Sequence, residues 1–323
     1  MLDKLDLTQK IDRETYKRIM PELGNRLFNV QKASWDANIP IVILFEGWDA
    51  AGKGTSIQKL TRSLDPRGYK LYPIRAARTF EAKHPWLWRF WLKIPACGEW
   101  AIFDRSWYGR VMVERVENLI PESEWRRAYR DIIDFERALT DDGTLIIKFF
   151  LHISRQEQKR RFEKLIKDPL TSWHVSPEDW EHYRRYDDWL VAYEEAFERT
   201  ESEWAPWTIV EATDRRFTWV KIHKTVIKAV EERLGMPYTP LPGDQALVPA
   251  IVEEEQEFVE AEEQPEEEVT SYMALIEEGV SARSSPMSEA EFPQEAPTFP
   301  VEEEGMMESV EQYLAPFEDD EIE

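Results

Sequence analysis

The sequence predicts an α/β fold: a parallel sheet with helices on both faces. Three observations predict it. Short apolar runs rich in β-branched residues recur along the chain, and segments of helical periodicity separate them. Hydrophobic residues make up 42% of the 323 positions, with 14 tryptophans among them, enough for a substantial core.

The first forty residues read as one or two helices with polar faces. Pro40 then precedes the apolar run 41–45, which ends in Glu46-Gly47 and reads as a buried parallel strand. Similar runs follow at 71–74, 100–103, 144–153 and 207–210. Helical patterns occupy 55–64, 84–94, 107–118, 123–139, 154–167, 177–199 and 217–234, an alternation that implies βαβ units. Ser154 with Glu157 predicts a capping box, and Ser176 with Asp179 a looser version of it. Thr213 or Asp214 opens the last helix, and Gly235 closes it.

The chain carries 41 Lys and Arg against 64 Asp and Glu, a formal charge of −23. Taken whole, that number argues against a polyanionic partner. Counted by region it does not. Residues 244–323 hold 26 acidic residues and one basic residue, Arg283, for a charge of −25; residues 1–243 hold 40 basic and 38 acidic residues, for +2. All the tryptophans lie at or before Trp219. Residues 1–243 are therefore expected to form the folded domain and 244–323 a disordered, acidic C-terminal tail. The tail reads as a solubilising extension; an unknown partner for the apolar clusters at 273–276 and 306–314 is the alternative. The single cysteine, Cys97, excludes an internal disulfide and a Cys-rich zinc module, and predicts a cytoplasmic protein. The N-terminus lacks the apolar core of a leader, and no apolar run is long enough to span a membrane.

The chemistry begins after the first strand. Gly47-Trp48-Asp49-Ala50-Ala51-Gly52-Lys53-Gly54-Thr55 satisfies GxxxxGK between a strand and a helix. Glycines let such a backbone wrap a phosphate, successive N–H groups and the helix N-terminus add partial positive charge, and Lys53 adds a full one. This makes Gly47, Ala50, Ala51, Gly52, Gly54 and Thr55 phosphate-binding residues of a P-loop kinase-like three-layer sandwich. The Ser or Thr expected after the lysine is Gly54, so the metal-holding hydroxyl is missing or displaced to Thr55, and Asp49 is positioned to take over the metal or act as base. The strand 100–103 ends in Asp104-Arg105, which puts a Walker B-type carboxylate at the sheet edge where ligands bind in open α/β folds. An N-cap is the alternative for Asp104. Arg105 and Arg110 flank the same point and suit transition-state charge, with ion pairing to Glu114 as the alternative for Arg110.

These residues resemble the polyphosphate kinase 2 family of P-loop phosphotransferases. The resemblance rests on 45–54, on Leu64-Asp65-Pro66-Arg67-Gly68-Tyr69, on His84-Pro85-Trp86-Leu87-Trp88-Arg89-Phe90-Trp91 and on 103–111. It continues in order through 148–154, Asp168-Pro169 with Trp173, Ala192-Tyr193-Glu194 and Ala205-Pro206-Trp207, over roughly residues 10–234. It implies transfer of a phosphoryl group between inorganic polyphosphate and a nucleoside mono- or diphosphate with Mg²⁺, Mn²⁺ being the alternative ion. AMP to ADP is the favoured direction of reading; ADP or GDP as acceptor, or an ATP-dependent nucleoside monophosphate kinase, are the alternatives. By similarity, Asp49 and Asp104 hold metal, while Lys53, Arg105 and Arg110 contact phosphates. The region about 155–180 is a lid, and its Arg160, Arg161 and Lys164 line a polyphosphate channel, with a solvated helix face as the alternative.

A second basic cluster, Arg75, Arg78, Lys83, Arg89 and Lys93, suits a long polyanion held largely by electrostatics, with Arg89 as a phosphate-binding residue and Arg89 and Lys93 on one helix face. Here the chain departs from the family: Ala76-Ala77-Arg78-Thr79-Phe80-Glu81 stands where acidic, proline-containing versions are common. Trp86, Trp88, Phe90 and Trp91 read as core. The histidines His84, His152, His174, His182 and His223 lack metal-ligand spacing and read as packing or surface residues. A homo-oligomer is expected, and neither nucleic acid nor a membrane is an expected partner. A sharper alternative for the acidic tail is electrostatic competition with polyphosphate for the basic channel.

Overall fold

A computed structural model describes residues 2–237 and 239–243; the calls on the tail lie outside them. Five parallel strands, β1 (Ile41–Gly47), β2 (Tyr69–Pro73), β3 (Trp100–Asp104), β4 (Leu145–His152) and β5 (Trp207–Glu211), form one sheet in the order β2-β3-β1-β4-β5. The central strand β1 is buried along six of its seven residues, as a strand covered on both faces must be. Nine helices accompany the sheet among the described residues: α1 (Arg13–Asp36), α2 (Lys53–Thr61), α3 (Trp88–Trp91), α4 (Val113–Val116), α5 (Glu122–Asp141), α6 (Arg155–Lys167), α7 (Pro177–Arg184), α8 (Tyr186–Thr200) and α9 (Arg215–Arg233). Helices α1, α2 and α9 pack together as one layer, and α4, α5 and α8 as the other. No helix among the described residues is long and apolar enough to cross a membrane.

Local chemistry sets the boundaries. Asp12 caps α1, accepting from the Glu14 and Thr15 amides at 2.9 and 2.8 Å. The 24-residue helix then runs through Pro21 and is tied to α9 by a bidentate Arg26–Glu231 pair at 2.6 and 2.7 Å. Asp214 caps α9 through the Phe217 amide, and Gly235 beyond its end has φ +65°. The two capping predictions exchange places. Ser176 and Asp179 make the full reciprocal box, whereas Glu157 gives its carboxylate to Arg160 and Arg161 and leaves Ser154 only half a box.

Three predicted helices come out shorter. The pattern 84–94 yields a 3₁₀ turn at Glu81–Lys83 and the four-residue α3, because Pro85 forces His84 into extended backbone. Of the aromatic run there, Phe90 is core, but Trp91 is half-exposed and Trp88 stacks on His84 at 4.0 Å. The pattern 107–118 becomes a 3₁₀ turn at Trp107–Arg110 followed by α4. Trp107 Nε1 and the Tyr108 hydroxyl both donate to buried Glu136, at 3.0 and 2.9 Å, and this tightens the turn toward the core. The pattern 177–199 breaks at Arg185, whose guanidinium leaves the helix line for the Val116 carbonyl and Glu117.

Candidate active site

The site forms where β1 and β3 end. Their register pairs Phe45 with Asp104, and the Arg105 amide donates to the Phe45 carbonyl at 3.0 Å. The loop leaving β1 therefore faces the turn leaving β3. Gly47 starts that loop at φ +137°, passing so close to β4 that a Cβ would lie 2.7 Å from the Leu151 nitrogen. Gly52, at φ +98°, is the N-cap of α2 and supplies no side-chain cap. The first amides of α2 thus face the loop with the helix dipole behind them. Ala50 and Arg105 hold positive φ, +58° and +63°, without being glycine. Such backbone costs energy and persists where surrounding contacts over-determine it.

Those contacts are visible. Arg161 on α6 gives every donor to protein: Nε to Glu157 at 2.6 Å, Nη1 to the Ala50 and Ala51 carbonyls at 2.9 and 3.1 Å, and Nη2 to the Ala212 and Thr213 carbonyls at 2.6 and 3.0 Å. In this geometry it clamps the loop from outside. Gln158 adds a bond to the Asp49 carbonyl at 3.2 Å. Trp48 is pinned by stacking on Tyr186 at 3.9 Å and by donating to His152 Nδ1 at 2.9 Å. Burial pushes His152 down to about 4, so it is a neutral acceptor.

Lys53, Asp49, Arg105 and His182 converge at the loop, with Asp104 and Glu46 close by. Lys53 Nζ donates to the Gly47 and Trp48 carbonyls at 2.7 and 3.0 Å and lies 3.9 Å from Asp49. Burial lowers its proton affinity, with Asp49 opposing. Asp49 Oδ1 accepts from Arg105 Nη2 at 3.0 Å, and Oδ2 pairs with His182 Nδ1 at 3.0 Å. Burial would raise the Asp49 carboxyl, but the His182 bond and the Lys53 and Arg105 charges outweigh it and hold it well below the usual carboxylate range. The Asp104 carboxylate is near enough to favour the charge on Lys53 and Arg105, yet makes no hydrogen bond or ion pair among the described residues. Buried Glu46 beneath them accepts from Ser106 Oγ at 2.8 Å; burial raises its carboxyl, and that bond and Lys53 oppose the rise.

The remaining predicted contacts are placed as follows. Thr55 Oγ1 donates to the Gly52 carbonyl at 2.9 Å, while the space beside Gly54 is open. Arg110 is paired with Glu114 and Glu124, both at 2.5 Å, as its alternative reading had it. Arg160 is an exposed bidentate partner of Glu157, and Arg89 lies 3.5 Å from Glu81, which also faces Lys93. Lys164 is exposed and has no ion pair among the described residues. Reading the histidines as packing or surface residues fails for His182, whose contact with Asp49 spans 133 positions and has no local signal. Glu46, Gln158 and Glu117 were also missed.

The sequence profile described as "Polyphosphate kinase 2" matches residues 10–235, most of the described domain. The chain belongs to the polyphosphate kinase 2 family. Among members, it is 42% identical over 231 residues to the polyphosphate:AMP phosphotransferase of Pseudomonas aeruginosa, covering 72% of this chain and 47% of that protein. The same identity holds over 232 residues, with the same coverage, for the polyphosphate:AMP phosphotransferase of Pseudomonas syringae pv. tomato. The chain spans about half the length of these curated relatives. A solved polyphosphate kinase 2 structure from Pseudomonas aeruginosa superposes with a TM-score of 0.71 at 41% identity, over 73% of this chain and 51% of that one. In this member of the family, the matched span contains the whole loop, the β3 carboxylate and helices α6 and α7.

Proposed function

We propose that this polyphosphate kinase 2 family chain transfers the terminal phosphoryl group of inorganic polyphosphate to a nucleotide, AMP to ADP in preference. The P–O bond to the chain end breaks, a phosphate oxygen of AMP bonds to the transferred phosphorus, and polyphosphate leaves one unit shorter. The observation that carries the proposal is the convergence of Lys53, Arg105, Asp49 and Asp104 on the open N-terminus of α2. Phosphoryl transfer needs positioning and charge neutralisation rather than a covalent intermediate, and this set offers both. The AMP preference is supported by relatives named for that acceptor at 42% identity.

Two carboxylates of different standing suit a divalent cation. Mg²⁺ is held by one or two carboxylates with substrate phosphates completing its shell, and the Asp104 carboxylate has no protein partner among the described residues to displace. Asp49 and Asp104 are the proposed holders of Mg²⁺, or of Mn²⁺ in its place; the ion neutralises charge on the transferring phosphoryl group when bound. Lys53, the loop amides and Arg105 cradle the phosphates, and the α6–α7 lid excludes water. A cytoplasmic location is supported by the unpaired Cys97, and a homo-oligomer by the apolar surface at Trp91 and Leu92.

The test supplies the purified chain with Mg²⁺, AMP and long-chain polyphosphate as sole donor and follows ADP. ADP should form, and Lys53→Ala or Asp104→Asn should lower kcat by ~100-fold or more. Turnover with ATP alone as donor overturns the proposal.

A further inference from the structure

The side chain that completes the Asp49 environment comes from the lid. His182, on α7, is about one-fifth exposed and presents Nδ1 to Asp49 Oδ2 at 3.0 Å. A carboxylate only accepts, so Nδ1 carries the hydrogen in this contact. Its other nitrogen, Nε2, lies 3.7 Å from Glu117 Oε1, and that same oxygen accepts from Arg185 Nη1 at 3.1 Å. Arg185 sits where α7 meets α8 and also holds the Val116 carbonyl. The imidazole packs against Trp189 at 4.8 Å between ring centroids. Three parts of the chain therefore meet through one ring: the phosphate loop at Asp49, the lid at His182, and the segment after β3 at Glu117.

We infer that His182 is a positioning residue that couples lid closure to the Asp49 carboxylate. The two oxygens of Asp49 are held from opposite partners, Oδ1 by Arg105 of the β3 turn and Oδ2 by the lid. Only with α7 down is the second oxygen fixed, so the carboxylate reaches its working orientation when the site is also closed to water. Glu117 and Arg185 set the reach of the ring by anchoring the α7–α8 junction. An isolated histidine on a mobile helix would not fix a carboxylate; one buttressed by Trp189 and Glu117 does.

This inference rests on the proposed function for its kinetic reading, and a second readout separates the two. In the full chain, with AMP, polyphosphate and Mg²⁺, His182→Ala should lower kcat about tenfold or more while the KM values stay within about threefold. His182→Asn places an amide donor where Nδ1 stood and should recover kcat to within about threefold of wild type; His182→Gln, whose amide reaches toward the Nε2 position, should not. Limited proteolysis of the 155–185 segment should be faster in His182→Ala than in wild type and slow again in His182→Asn, whatever the donor. Failure of Asn to slow cleavage, or equal cleavage of Ala and wild type, overturns the coupling. Absence of polyphosphate-dependent turnover with the cleavage order intact overturns the function and leaves the coupling standing.

Discussion

Lys148 Nζ lies 2.9 Å from Glu136 Oε2 with both side chains wholly removed from solvent. The lysine's three hydrogens are all used, on Glu136, on the Tyr108 hydroxyl at 2.9 Å and on the Thr200 carbonyl at 3.1 Å. Burial pulls the two groups toward their neutral forms and their mutual attraction opposes it. A buried pair of this kind adds little over a well-packed apolar pair, but stranding one member costs about 3–5 kcal/mol. Lys148→Met should therefore destabilise by roughly that amount, and Lys148→Met combined with Glu136→Gln, which removes the stranded charge and keeps an acceptor for Trp107 and Tyr108, by clearly less. Denaturant midpoints of the three proteins check it; a double variant as unstable as the single one contradicts it.

The same network explains why a lysine stands in the middle of β4, which otherwise reads as continuous apolar sequence. Glu136 takes Trp107 and Tyr108, and these fix the turn that follows Arg105. Loss of the network should thus also reach the site, through Arg105.

Arg161 ties two carbonyls of the loop, Ala50 and Ala51, to two that follow β5, Ala212 and Thr213, and lysine cannot reproduce that fork. Arg161→Lys should keep the charge yet lower kcat/KM by ~10-fold or more, because Ala50 loses the contacts that maintain its positive φ. A phosphate-binding role would instead predict a rise in KM for polyphosphate with largely preserved kcat when the charge is kept. The ratio of the two effects decides.

Much of this was legible in the sequence, and the reasons are physical. Strands β1 and β3 are contiguous apolar runs, and Gly47, Gly52 and Lys53 lie within seven positions, so local pattern suffices to place the loop; the edge strand β2, with Lys70 inside it, runs Tyr69–Pro73 rather than 71–74. Helices α3 and α4 were over-read because Pro85 and the pull of Glu136 on Trp107 act against the periodicity. His182 was invisible because its partner is 133 residues away. Arg161 and Lys164 look alike in sequence; only the carbonyls around Arg161 distinguish a clamp from a free cation.

Two glycines of the motif, Gly47 in the loop and Gly54 in the first turn of α2, should respond oppositely. Gly47→Ala puts a Cβ against the Leu151 backbone at φ +137° and should abolish loop formation, with loss of activity and a fall in stability of several kcal/mol. Gly54 has open space beside it, so Gly54→Ser should shift Tm by no more than about 3 °C and restore a hydroxyl where such loops ordinarily carry one. Melting curves and the Mg²⁺ concentration for half-maximal rate are the measurements. A large Tm loss in Gly54→Ser would contradict the open space.

His152 makes stability depend on pH in a definite direction. Its native value is about 4 against 6.5 in the unfolded chain, because burial disfavours the charged ring and the Trp48 N–H already occupies Nδ1. Between pH 6.5 and 4 the unfolded state binds a proton the native state refuses, so stability falls as pH falls through that window. The loss from this one group is roughly 2 kcal/mol by pH 5. His223, buried and also near 4, adds a similar slope that is common to wild type and variant. His152→Asn keeps an acceptor for Trp48 while removing the titration, so between pH 7 and 5 it should lose about 2 kcal/mol less than wild type. Equal losses in urea titrations at the two pH values would mean that His152 is protonated in the native protein and that the Trp48 hydrogen bond is not what fixes the ring.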